Sequence, residues 1–100
     1  MIDLQLITGF EWDAGNERKS VDKHSVSQAE AEQMFFNEPL LVVPDVAHSS
    51  SEIRIHALGR TDGDRLLHVT FTLRQKDSKI RIISARNMSR KERSYYDRHV

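Results

Sequence analysis

The chain has one hundred residues with fifteen Lys and Arg, fifteen Asp and Glu, and no cysteine. That is enough for one domain with a modest core, and it excludes a disulfide framework and thiolate chemistry. No stretch approaches the roughly 20 apolar residues of a membrane span, and no basic region leads into an apolar one at the N-terminus, so a cytoplasmic chain without membrane attachment is expected.

Ile2, Leu4 and Leu6 alternate with Asp3 and Gln5, which predicts a short first strand that Phe10 and Trp12 extend or follow. Asn16 is a plausible N-cap for a short helix over Glu17 to His24. A stronger start signal follows: Ser27 and Glu30 form an S-x-x-E capping box behind Val26. Ala31, Met34 and Phe35 then give that helix an apolar face, and Pro39 ends it near Asn37. Leu40 to Val43 reads as a brief buried run, and Asp45 to Ser51 as a polar loop.

The second half alternates as a sheet. Ile53, Ile55 and Ala57 interleave with Arg54, His56 and Leu58; Leu67, Val69, Phe71 and Leu73 interleave with His68, Thr70, Thr72 and Arg74. Thr61-Asp62-Gly63 reads as the three-residue hairpin loop between them, with the glycine free to take positive φ. That loop sets Leu58 opposite Leu66, His56 opposite His68 and Arg54 opposite Thr70, and puts the aliphatics on one side. A third strand runs from Ile80 to Arg86 after the polar loop Gln75 to Lys79. Both its faces carry isoleucine, so one register puts Arg86 opposite His68, beside Arg74, Arg54 and His56, and a slip puts Arg81 there instead. Ser89 and Glu92 form a second capping box, opening a last helix through Tyr95 and Tyr96. The order is strand, two short helices, a three-stranded antiparallel meander and a C-terminal helix, an α+β arrangement.

The zero net charge hides a dipole. Twelve of the fifteen cations fall in residues 51–100 and nine of the fifteen acids in residues 1–50, so the halves carry +6 and −6. The basic half is also the sheet, with Arg54, Arg65, Arg74, Arg81 and Arg86 among its strands. This points to an anionic partner, nucleic acid first, against the plainer reading of solvated edge residues.

The ordered set Phe10-Glu11-Trp12-Asp13, Asn16, Lys19, Lys23-His24, Val26-Ser27, Glu52-x-Arg54, Gly59, Phe71-Thr72-x-Arg74, Arg81 through Arg86 and Glu92-Arg93-x-x-Tyr96 resembles the BrnT toxins of type II toxin–antitoxin modules. The resemblance runs from Phe10 to about Tyr96 as one toxin domain. Ser25, where the family usually has glycine, and Gln28, where it often has an aromatic, depart from it at a turn and a helix start. It implies a fold similar to the RelE ribonuclease toxins. It further implies an mRNA-cleaving toxin, needing no cofactor and no metal, held inactive by a DNA-binding, BrnA-like antitoxin that alone contacts operator DNA.

Cleavage by 2′-hydroxyl attack requires backbone positioning, charge stabilisation at phosphorus and proton movement. Arginine suits the second task, since its planar fork binds phosphate oxygens in pairs and stays charged. Arg74 and Arg86 are the candidates for the pentavalent phosphate, with Arg81 expected at the apolar margin of the sheet unless the register slips. Each has an ion pair with Glu52, Asp77 or Glu92 as its structural alternative. Lys23 and His24 are candidates for proton transfer, His24 otherwise capping a helix end. Arg54, His68, Tyr95 and Tyr96 are candidates for substrate binding, one tyrosine stacking on a base or donating a proton while the other packs on the sheet. Phe10 and Trp12 read as core. His56 and His68, if cross-strand, supply two metal ligands without a third.

Overall fold

The structure, a computed structural model, describes residues 4–12, 25–45 and 52–100. One five-stranded sheet organises them: β1 (Gly9–Glu11), β2 (Leu41–Asp45), β3 (Arg54–Arg60), β4 (Leu66–Arg74) and β5 (Lys79–Asn87), in the order β1-β5-β4-β3-β2. The β3-β4-β5 meander is antiparallel, as the alternation predicts. Two more strands flank it. Leu4–Leu6 is a 3₁₀ turn rather than a strand, and the N-terminal strand is the next segment, paired parallel with β5. Leu41–Asp45 is a full edge strand despite Pro44, which an edge tolerates because its missing N–H need not enter the ladder. The predicted helix over Glu17 to His24 lies outside the described residues.

Both capping boxes form. Ser27 Oγ accepts from the Glu30 N–H while the Ser27 N–H donates to Glu30, opening α1 (Gln28–Gln33), which continues into a 3₁₀ turn at Met34–Phe36. Ser89 and Glu92 do the same for α2 (Arg90–Arg98). Arg65 extends the first box. It donates to both Glu30 oxygens at 3.1 Å and to Asn87 Oδ1 at 2.8 Å, so this arginine holds α1 to the sheet.

One sheet face carries the core. Ile55, Ala57, Leu67, Val69, Phe71, Ile80, Ile82 and Ala85 pack against Val26, Ala31, Met34 and Phe35, with Phe10 and Trp12 half-buried at the edge. Phe35 meets Phe71 edge-on at 5.1 Å, and the Trp12 indole donates to Glu32 at 2.9 Å. A Cβ on Gly59 would stand 3.1 Å from Met34 Cε and 3.3 Å from the Met34 carbonyl, so glycine permits this close approach. On the opposite face α2 covers one end only: Tyr96, Met88, Leu58, Leu41 and Leu66 make a second, smaller cluster. No helix among the described residues is long and apolar enough to cross a membrane.

The register differs from the expected one in two ways. The β3–β4 loop is Asp62-Gly63-Asp64, and Asp64, not Gly63, takes positive φ. Sliding the loop one residue shifts the pairing by two, so Leu58 faces His68 and His56 faces Thr70 while every side chain keeps its expected face. In β4–β5 a bulge falls between Thr70 and Phe71. Phe71 pairs with Ile82 but Thr70 with Ser84, leaving Ile83 over. The extra residue puts Arg81, opposite Thr72, on the same face as Arg86, opposite His68. The two registers weighed in the sequence therefore both occur, one on each side of the bulge, and Arg81 does not lie at the apolar margin.

Candidate active site

The sheet face opposite the main core carries Arg54, His56, His68, Thr70, Thr72, Arg74, Arg81 and Arg86, of which His68, Thr70 and Thr72 are buried. The strands fix how they divide along it. His68 and Arg86 are directly opposite, whereas Arg74 pairs with Lys79 at the other end of the ladder. Six residues of β4 separate His68 from Arg74, about 20 Å at ~3.4 Å per residue. Antiparallel strands place the ends of β4 and β5 apart. Arg74 and Arg86 share a face but do not converge, and one phosphate cannot touch both.

Around Arg86 the groups do converge. Val43, His56, Leu58, His68, Arg86 and Glu92 line an open pocket of about 350 Å³. The Arg86 guanidinium is held in bidentate contact with Glu92, Nη1 to Oε1 at 2.8 Å and Nη2 to Oε2 at 2.9 Å. The His56 and His68 rings are 4.8 Å apart. The two histidines are diagonal, not directly cross-strand, neighbours. Among the described residues no His, Cys, Asp and Glu side chains group so as to hold a metal ion.

The two imidazoles have different surroundings. His68 is 8% exposed, and its buried Nδ1 has no hydrogen-bond partner. Burial, and then the Arg86 charge, lower its pKa to about 4, so it is neutral at pH 7. His56 is bonded at both nitrogens: Nε2 lies 2.8 Å from Asp45 Oδ2 and Nδ1 3.0 Å from Thr70 Oγ1. A carboxylate accepts, so a neutral His56 donates through Nε2–H and presents the Nδ1 lone pair to the Thr70 hydroxyl. Glu92 is shifted as well. Burial alone would raise its pKa, but the Arg86 hydrogen bonds and the Ser89 N–H outweigh that and bring it to about 2. The same contact raises Arg86.

At the far end Arg74 pairs with Glu52 at 2.8 Å, and Arg81 lies 3.8 Å from Glu11. Arg54 stands opposite Asp45 in the β2–β3 ladder. The tyrosines divide. Tyr96 is 1% exposed and its hydroxyl donates to the Pro39 carbonyl, so it is packed in the small cluster under α2. Tyr95 is exposed and stacked on His99. Lys23 and His24 lie outside the described residues.

Sequence reasoning left His56 and Asp45 out of the site. The signal for His56 was present, since it shares the alternation of Arg54 and Leu58. The signal for Asp45 was hidden behind Pro44, which reads as the end of a segment rather than the middle of an edge strand.

The model of a known family, the ribonuclease toxin BrnT of type II toxin–antitoxin systems, matches residues 12–92. The fold is similar to that in the crystal structure of the Brucella abortus ribonuclease toxin BrnT, with a TM-score of 0.62 at 21% identity, covering 82% of this chain and 97% of that one. No curated protein matches the chain significantly.

Proposed function

Since the chain belongs to the BrnT family of ribonuclease toxins from type II toxin–antitoxin systems, we propose that it is a RelE-like endoribonuclease that cleaves mRNA by 2′-hydroxyl attack and so inhibits translation in the cytoplasm. The observation that carries this reading is the pocket in which Arg86, His56 and His68 meet on the uncovered sheet face. A type II toxin has an antitoxin as its partner. In this proposal the partner is a BrnA-like DNA-binding protein, and operator DNA is reached only through it.

The pocket supplies two services that such cleavage requires. Arg86, aimed by Glu92, faces the space where the phosphate gathers negative charge, and its fork suits two phosphate oxygens. His56 takes the proton of the attacking 2′-hydroxyl at Nδ1 once the Thr70 hydroxyl turns aside, and Asp45 steadies the imidazolium that forms. The O2′–P bond then forms, the P–O5′ bond breaks, and the 5′-oxygen leaves with a proton from solvent. Neutral His68 walls the pocket beside Arg86 without adding a competing positive charge. Arg54, Arg74 and Arg81 bind the flanking backbone.

Single-stranded RNA incubated with the purified protein tests this. The products expected carry 2′,3′-cyclic phosphate and 5′-hydroxyl ends, and the same strand with 2′-O-methyl groups stays whole. Intact RNA at high protein concentration would contradict the enzymatic reading and leave a non-catalytic binding module.

A further inference from the structure

A second concavity adjoins the pocket. An open groove of about 680 Å³ runs along α2, lined by Leu58, Arg90, Lys91, Glu92, Tyr95 and Arg98 among others. Leu58 and Glu92 also line the Arg86 pocket, so the two spaces share walls. Helical spacing sets the groove's chemistry. Arg90 and Arg98 lie eight residues apart on one stripe, about 12 Å at 1.5 Å per residue, with Lys91 and Tyr95 on the adjoining stripe. That span corresponds to three to four nucleotides of a stacked strand at ~3.4 Å each.

An aromatic platform stands in the same groove. Tyr95 and His99 are stacked, with centroids 3.9 Å apart and planes within 22°. The His99 Nδ1–H donates to the Tyr95 carbonyl at 2.7 Å, which fixes that ring against the tyrosine. Tyr95 remains 38% exposed. A row of cations beside a braced π-face is the combination that binds single-stranded nucleic acid without reading its sequence.

We propose that the α2 groove is a binding track for the single-stranded RNA next to the scissile bond, with Arg90, Lys91 and Arg98 on phosphates and Tyr95 stacked on a base. The proposal rests on the RNA-cleaving reading above and assigns it a footprint. It makes α2 more than a cap on the small apolar cluster: one side packs through Tyr96, and the groove side extends the substrate site.

The test compares the wild-type chain with Arg90→Gln/Arg98→Gln and with Tyr95→Leu. Each is assayed on a cleavable dinucleotide and on a 12-nucleotide RNA, and for binding to the 2′-O-methyl form of the longer RNA across a salt series. The double arginine variant should cleave the dinucleotide within about twofold of wild type. On the longer RNA it should lose affinity, with the salt slope reduced by about 1.4, or ~0.7 per phosphate contact on a single strand. Tyr95→Leu should weaken binding of the longer RNA roughly 5- to 150-fold with the salt slope unchanged. Wild-type affinity and salt slope in all variants would overturn the track while leaving the nuclease reading intact. Variants that bind RNA normally but fail to form a complex with the antitoxin would also overturn it, by assigning the groove to that protein. If the wild-type chain neither binds nor cleaves either RNA, the nuclease reading fails first and the track with it.

Discussion

Glu92 accepts both arms of the Arg86 guanidinium, at 2.8 and 2.9 Å, and also the Ser89 N–H at 2.8 Å. One carboxylate thereby starts α2 and aims the arginine of the candidate site. The contact occupies the fork that a phosphate would use, so substrate must share or displace Glu92. Glu92→Ala should therefore cost stability through the lost cap, about 1 kcal/mol, and should also lower kcat by releasing Arg86. Glu92→Gln keeps a capping side chain and should recover most of the stability but little of the rate. Urea unfolding and RNA cleavage on both variants check this; equal midpoints for Glu92→Ala and wild type would remove the structural half of the role.

The buried His68 gives the fold an acid-sensitive step. Its folded pKa of about 4 lies below the ordinary 6.5, so between these values the unfolded chain binds the proton more readily. Stability is then intact above pH 6.5 and lost as pH falls toward 4, by on the order of 3 kcal/mol for the full shift. Glu92, with a folded pKa of about 2 against 4.5, adds a second loss between those values. Thermal unfolding from pH 7 to pH 3 should show both steps, and His68→Met should flatten the first. An unchanged slope between pH 6.5 and 4 in that variant would show that His68 is not its source.

Arg74 and Arg81 lie on the open face but away from the Arg86 pocket. Ala at either position should raise KM and reduce the salt slope of RNA binding by about 0.7, with kcat near wild type. The Arg74 pair with Glu52 is exposed, so its loss should move stability by about 0–1 kcal/mol. A kcat loss without a KM change at Arg74 would place it at the reacting phosphate.

In the proposed mechanism Asp45 and His56 act as a unit. His56→Ala should lower kcat by about 10²–10⁴, the usual contribution of a positioned proton-transfer group. Asp45→Asn should lower kcat less, because the imidazole loses the carboxylate 2.8 Å from Nε2 that orients it. Wild-type kcat in Asp45→Asn would show that Asp45 does not position His56.

Local signals in the sequence were legible because they are decided within a few residues. The Ser27–Glu30 and Ser89–Glu92 boxes and the alternation from Arg54 to Arg74 each appear in the structure. Register was less legible, since Thr61-Asp62-Gly63 and Asp62-Gly63-Asp64 are both plausible loops and the choice preserves every face. The bulge at Ile83 was invisible because Ile80, Ile82 and Ile83 satisfy either register, yet it brings Arg81 and Arg86 to one side. The parallel pairing of β1 with β5 joins segments about seventy residues apart, and no local pattern announces it. Shared face was thus readable for Arg74 and Arg86 but not for Arg81, and shared location was not readable at all, which is why Arg74 and Arg86 looked like partners.

In the proposed mechanism the chemistry sits at the Arg86 end of the sheet. Single-turnover cleavage of one RNA by Arg86→Ala and Arg74→Ala, both confirmed folded by circular dichroism, tests it most directly. Arg86→Ala should lose about 10²–10³ in the cleavage step, the usual effect of removing one preorganised charge-stabilising donor. At saturating protein Arg74→Ala should cleave at a rate near wild type. Near-normal cleavage by Arg86→Ala with loss of the step in Arg74→Ala would contradict it and move the active site to the opposite end of the same face.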